Sequence, residues 1–133
     1  GEPETASRAA QELADHFLAE GEPGEAADVL IEALEVPGVA DPARLRVLLG
    51  IAHLELACGQ FQGAVEDGAD VETGALAIEL LARTLPLRGR DADAEAVWRY
   101  GLEHTDARLS AQVRLRLGRP VPMGEPVRGA AGG

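Results

Sequence analysis

The amino-acid sequence predicts an all-α fold built from antiparallel helical hairpins, and three observations carry that reading. The apolar content of 46% is mostly Ala and Leu, with only Phe17, Phe61, Trp98 and Tyr100 aromatic. Ala and Leu are the strongest helix formers and poor strand markers. Two apolar stripes recur at three- and four-residue steps early in the chain: Ala9, Ala10, Leu13, Ala14, Phe17, and then Ala26, Val29, Leu30, Ala33, Leu34. That spacing puts each stripe on one helix face. The turn between them, Gly21-Glu22-Pro23-Gly24, is so short that the two helices must pack antiparallel.

The elements run in order from there. A frayed start over residues 1–5 leads into helix one over 5–20, with Thr5 as N-cap and Gly21 as stop. Pro23 suits the first turn of helix two, which ends near Val36, before Pro37-Gly38. Asp41-Pro42 is a start signal for helix three, an N-cap acid ahead of a proline in the first helical position. Its stripe is Leu45, Leu48, Leu49, Ala52 and Leu56, and Gly59 is expected to end it. A short helix four is expected over 61–70, with Phe61, Ala64, Val65 and Gly68 inward. Thr73-Gly74 opens helix five, whose stripe is Ala75, Ile78, Leu81, Ala82 and Leu85. Pro86 removes a backbone donor and ends or kinks it near Leu85. Gly89 and Asp91 form the turn and cap helix six, with Ala94, Val97, Trp98, Gly101 and Leu102 inward. A seventh helix carries Leu109, Val113 and Leu117. Its alternation from Val113 to Leu117 is also strand-like, but no other segment offers a pairing partner. Residues 118–133 are rich in Gly and Pro, bury little, and are expected to be a disordered tail after a domain spanning 6–117.

A repeat runs through these elements. Leu13 to Ala26, Ile51 to Ala64, and Leu81 to Ala94 are each thirteen residues apart, and Gly21, Gly59 and Gly89 sit at matching places. The steps between successive anchor alanines are 38 and 30, a mean of 34. With this pattern the chain resembles the tetratricopeptide repeat family. The first hairpin carries the likeness best, through Leu13-Ala14, Phe17, Gly21, Ala26, Leu30, Ala33 and Pro37. The third carries Ile78, Leu81-Ala82, Leu85, Gly89, Ala94 and Trp98. The second carries Leu49-Gly50 and His53, then two residues too many before Gly59. The resemblance covers residues 6–104. It implies a short right-handed solenoid of about seven helices, with small residues allowing close helix approach and large ones filling the gaps beside them.

Composition narrows the function. The formal net charge is −11. Residues 1–41 hold 11 acids against Arg8 alone, whereas residues 107–133 hold Glu125 against five Arg. So acidic a body lacks the basic patch that phosphate neutralisation requires, and four aromatics make no base-stacking platform, so no nucleic-acid partner is expected. Electrostatic steering favours a basic partner. Every basic residue is Arg, with no Lys and no Asn, the residue usage expected of a GC-rich bacterial, actinobacterial genome. Cys58 stands alone, which fits a reducing, cytoplasmic compartment; no signal peptide is visible, and no apolar run approaches the ~20 residues of a membrane span.

Catalytic chemistry has no constellation behind it. There is no phosphate-binding loop, dinucleotide fingerprint, nucleophile elbow or paired-Cys motif. His53-Leu54-Glu55 has the His-x-Glu of zinc deaminases without the Cys pair that must accompany it. His16, His53 and His104 fall on separate helices and read as structural or surface groups. Cys58 reads as buried filler, far from the helix N-terminus that would activate a thiolate, and Trp98 as core. No metal, cofactor or catalytic residue is therefore expected. The family resemblance instead implies a concave groove lined by the first helix of each hairpin: Arg8, Gln11 and Asp15, then Arg46 and His53, then Glu79 and Arg83. Chaperone-binding members of the family clamp a peptide carboxylate with Lys and Asn, which this chain lacks, so that activity is not implied. The expected function is a non-catalytic module binding a protein, a peptide or its own copy. The alternative is a regulatory, effector-sensing domain of a larger bacterial protein such as a transcriptional regulator.

Overall fold

Helix α1 spans Glu2–Ala19 and α2 spans Pro23–Leu34 in the computed structural model, which describes residues 1–119. Then come α3, Pro42–Glu66; α4, Val71–Thr84; a single 3-10 turn, Leu85–Arg88; α5, Asp91–Leu102; and α6, Ala107–Leu117. Among the described residues the fold is all-helical, with six α-helices and no strand. The tail expected over 118–133 lies, from residue 120 onward, outside the described residues.

Local chemistry sets most of these boundaries. α1 starts before Thr5, because Pro3 sits in its first turn, where a missing N–H is harmless. Thr5 caps nothing; its hydroxyl donates to the Gly1 carbonyl at 2.9 Å. α1 ends in two reverse hydrogen bonds, from the Gly21 N–H to the Leu18 carbonyl (3.2 Å) and from the Glu22 N–H to the Phe17 carbonyl (2.7 Å). This closure needs a left-handed residue, which Gly21 supplies at φ 74°. The helix-five stripe Ala75, Ile78, Leu81, Ala82 and Leu85 is fully buried, each residue 3% exposed or less. Pro86 ends α4 at Thr84 by diverting the chain into the 3-10 turn. α4 begins earlier than Thr73-Gly74, because Asp70 is the N-cap and accepts the Thr73 N–H. Asp91 is the first residue of α5 rather than its cap. α6 is a helix, its Asp106 carboxylate accepting the N–H groups of Arg108 and Leu109.

The largest correction concerns α3. α3 runs without a break through Gly59, so the helix stop there, the separate helix over 61–70 and the count of seven are all corrected. Gly59 lacks a positive φ, and the chain turns instead at Gly68, where φ is 75° and the residue is exposed rather than inward. The physical reason lies in the residues next to each glycine. Gly21 precedes Glu22-Pro23 and Gly68 precedes Ala69-Asp70, so each stop leads into a start signal. Gly59 leads only into Gln60-Phe61, which offers neither a cap nor a proline, so propagation continues at a cost of about 1 kcal/mol for the glycine.

The chain forms two compact units, Gly1–Gly63 and Ala64–Gly133. In unit 1 the core is Ala10, Ala14, Ala26, Ala27, Leu30, Ala33, Leu45 and Ala52, with Phe17, Leu48 and Leu49 packed against it. In unit 2, α4 is the central helix, covered by α5 and α6, and the core is Ala75, Ile78 and Val113, with Val97, Trp98, Leu102 and Leu109 around them. α4 and α6 run parallel: Gly74 faces Leu109 near their N-terminal ends, and Arg83 reaches the backbone of α6 at its C-terminal end. α5 approaches closely at Gly101. A Cβ added there would stand 2.9 Å from both Val113 methyls and 3.2 Å from Ile78 Cγ2.

Candidate functional site

Unit 2 contains a buried charge cluster on α4. Glu79 is 3% exposed, which for a carboxylate requires partners. Its Oε2 accepts from Arg83 Nε at 3.0 Å, and its Oε1 from Arg116 Nη1 at 2.9 Å. Arg83 and Glu79 are four residues apart, so α4 itself aligns that pair. Arg116 arrives from α6. The other end of the Arg83 guanidinium donates to the carbonyls of Arg116 (2.8 Å), which also accepts the Arg119 N–H, and of Arg119 (2.9 Å), just past the end of α6. The Arg83 guanidinium carbon also stands 5.6 Å from the centre of the Trp98 ring, which is half-buried against the core. One carboxylate thus faces two guanidinium groups, and Arg116 Nε is buried without a hydrogen-bond partner. The arrangement fastens α6 to α4.

The groove residues that the sequence named are therefore placed differently from one another. Glu79 and Arg83 are brought together, but they are engaged inside unit 2 rather than facing solvent. Arg8 and Asp15 are exposed and Gln11 is half-buried, all on one face of α1, with Gln11 Nε2 donating to the buried Ser7 hydroxyl at 3.1 Å. Arg46 and His53 are both exposed, two turns apart on α3. His16 is exposed and lies 5.6 Å from the Phe17 ring, and Cys58 is buried.

Sequence reasoning missed a second feature. Between α1 and α2 lies an apolar groove of about 250 Å³, lined by Ala6, Ala9, Ala10, Leu13, Val29, Glu32, Ala33 and Val36. It occupies the side of α1 opposite Arg8, Gln11 and Asp15, since 3.6 residues per turn sets Ala6, Ala9 and Leu13 about half a turn away from them. Leu13 is 45% exposed there. The signal was present, because the α1 stripe is wider than one packing contact needs. Ala10 and Ala14 fill the core while Ala9 and Leu13 are left over. Exposed carboxylates share the groove face: Glu32 lines it, Glu2 stands one turn before Ala6, and Glu25 one turn before Val29.

A hollow of about 300 Å³ in unit 2 is lined by Val65, Gly74, Ile78 and Leu109, with Tyr100, His104 and Asp106 at its polar side. His104 Nδ1 accepts the Asp106 N–H at 3.0 Å, which holds the ring against the start of α6. Tyr100 meets that ring edge-on at 5.6 Å. The Asp106 carboxylate is committed to capping α6. Among the described residues no group of three His, Cys, Asp or Glu side chains is placed to hold a metal ion, and no helix is long and apolar enough to cross a membrane.

Comparison of the chain with protein-family models, with curated proteins and with solved structures returns no match.

Proposed function

We propose that this chain is a non-catalytic interaction module of tetratricopeptide-like architecture whose α1–α2 groove receives a basic, amphipathic helical segment. The observation that carries the reading is the groove itself, an apolar channel between two helices with Leu13 open to solvent and Glu2, Glu25 and Glu32 on its face. An amphipathic helix laid into such a channel buries its apolar side, and arginines on its flanks meet the carboxylates. Two features support the architectural half. Each unit is a hairpin followed by a further helix, and α4 and α6 run parallel with α5 packed on both, the order in which stacked hairpins present successive first helices. The acidic rim contributes on-rate and partner choice more than raw affinity.

The test is fluorescence anisotropy with a labelled Arg/Leu amphipathic peptide. Saturable binding is expected, weakened by salt and lost in Leu13→Glu. Equal binding of a Glu/Leu peptide of the same pattern would remove the reading. The hollow beside Tyr100 and His104 is what favours a second reading, an effector-sensing domain of a larger bacterial protein. A small-molecule screen that raises the melting temperature of the wild type but not of Tyr100→Ala would move the assignment there.

A further inference from the structure

The outer face of α6 has the features that the groove lacks. Helical spacing places Ala107, Ala111 and Leu115 in one line along α6, with Arg108 and Arg114 on either side, and all five are exposed. Leu115 is 58% exposed, and the opposite face is the one that carries Val113 into the core of unit 2. Residues 107–119 hold four Arg and no acid, whereas residues 1–41 hold 11 acids and one Arg. One end of the chain thus carries an apolar channel rimmed by Glu2, Glu25 and Glu32, and the other carries an apolar ridge flanked by arginines. Ala107 and Ala111 are small enough to let the ridge approach a channel floored by Ala6, Ala9, Ala10 and Ala33. Leu115 supplies the one large side chain on that ridge.

We infer that the segment received by the α1–α2 groove is α6 of a second copy of this chain, docked through its Ala107–Ala111–Leu115 ridge. The inference rests on the proposed reading of that groove as a docking site. Two different surfaces meet, so the contact either closes as a reciprocal pair, each groove holding the other copy's ridge, or continues into rings or filaments. The pairing is electrostatic at its rim, so it strengthens at low salt and weakens as the salt concentration rises.

Sedimentation of the full chain over a range of concentrations and salt tests it. At low salt the weight-average mass should climb from the 13.9 kDa of one copy to that of two or more, and return toward one copy at high salt. Arg108→Glu/Arg114→Glu sets acid against acid, and Glu25→Arg/Glu32→Arg sets base against base. Each variant alone should lose association by about 100-fold. Mixed in equal amounts, the two should assemble again, because each then offers the other an opposite charge. Leu115→Gln gives the same loss with no change of charge, and circular dichroism verifies that each variant stays helical. A wild type that remains at one copy, a dimer indifferent to these substitutions, or a mixture that fails to assemble would each overturn the inference. A chain that stays at one copy yet binds the Arg/Leu peptide sinks self-docking alone. A chain that does neither sinks the groove reading with it.

Discussion

Unit 1 and unit 2 solve the same packing problem with different materials. Both bury a hairpin and a further helix. In unit 1 the buried core is mostly alanine, with Leu30 and Leu45 the large side chains wholly hidden, and no charged side chain is fully buried. In unit 2 the central helix carries a carboxylate into the interior, and two arginines must accompany it. Alanine cores need no partner chemistry, but each buried methyl contributes little, and helices that approach so closely leave spare apolar surface such as Leu13 along their edges. The buried cluster ties α6 to α4, since Arg83 and Arg116 together engage both oxygens of Glu79 while Arg83 also holds the backbone at the end of α6. A buried ion pair is seldom a net source of stability, yet removing one member of it is costly. The contrast teaches where each unit is vulnerable: unit 2 at a few polar atoms, unit 1 across a diffuse surface.

The largest expected effect separates the two units directly. Glu79→Ala leaves two guanidinium groups without their carboxylate and should cost about 3–5 kcal/mol. Hydrogen exchange should then show protection lost across α4, α5 and α6 while α1 and α2 keep theirs. Equal loss in both units would show that they unfold as one. Next in size is Gly101→Ala. The new methyl would meet Val113 at 2.9 Å, and overpacking of this kind costs about 1–3 kcal/mol. Trimming the obstacle in Gly101→Ala/Val113→Ala should recover part of that loss, and the double-mutant cycle in denaturant melts measures how much.

Helix caps come third. Asp106→Ala removes the acceptor for two N–H groups and should cost about 1 kcal/mol, read as a fall in melting temperature. Asp70 adds a pH dependence. Hydrogen bonds from Thr73, side chain first and then backbone N–H, hold its carboxyl below the ordinary value. Because the folded value lies below the unfolded one, the cap's contribution is complete above the unfolded pKa of about 3.9 and is lost as pH falls through the lower, folded value. Asp70→Asn keeps an acceptor and should flatten that acid limb in melts monitored against pH. An unchanged limb would assign it to other carboxylates. The smallest effect has the opposite sign. Gly59→Ala, inside a continuous α3 with open space around the new methyl, should raise stability by about 0.5–1 kcal/mol. A loss instead would mean that Gly59 occupies a turn.

Much of this architecture was legible before any coordinate. The α4 stripe, the Pro86 break, the Gly21 turn and the helix start at Pro42 are all local events, decided within about one helical turn, so sequence reports them well. Gly59 misled because an isolated glycine is ambiguous. It marks a stop only when a cap or proline comes next, and that difference in neighbours separates Gly59 from Gly21 and Gly68. The site was less legible. That Glu79 and Arg83 form a pair could be read from their spacing, but nothing in the chain announces that Arg116, 37 residues on, completes it. Nor does helical periodicity say which part of a wide apolar stripe goes to the core.

By itself, then, the sequence determined helix content, the turns at Gly21 and Gly89, the Pro86 break, the buried face of α4, and a charge gradient from an acidic first third to a basic last stretch. These come from propensity, periodicity and counting, which need no knowledge of neighbours. Only the tertiary structure decided that Glu79 faces inward to two arginines, that Gly101 of α5 leaves no room for a Cβ beside Val113 of α6, and that Ala9 and Leu13 line an open groove while Ala14 is sealed in the core. Each of those depends on which helix lies across from which, and that choice rests on contacts between residues far apart in the chain.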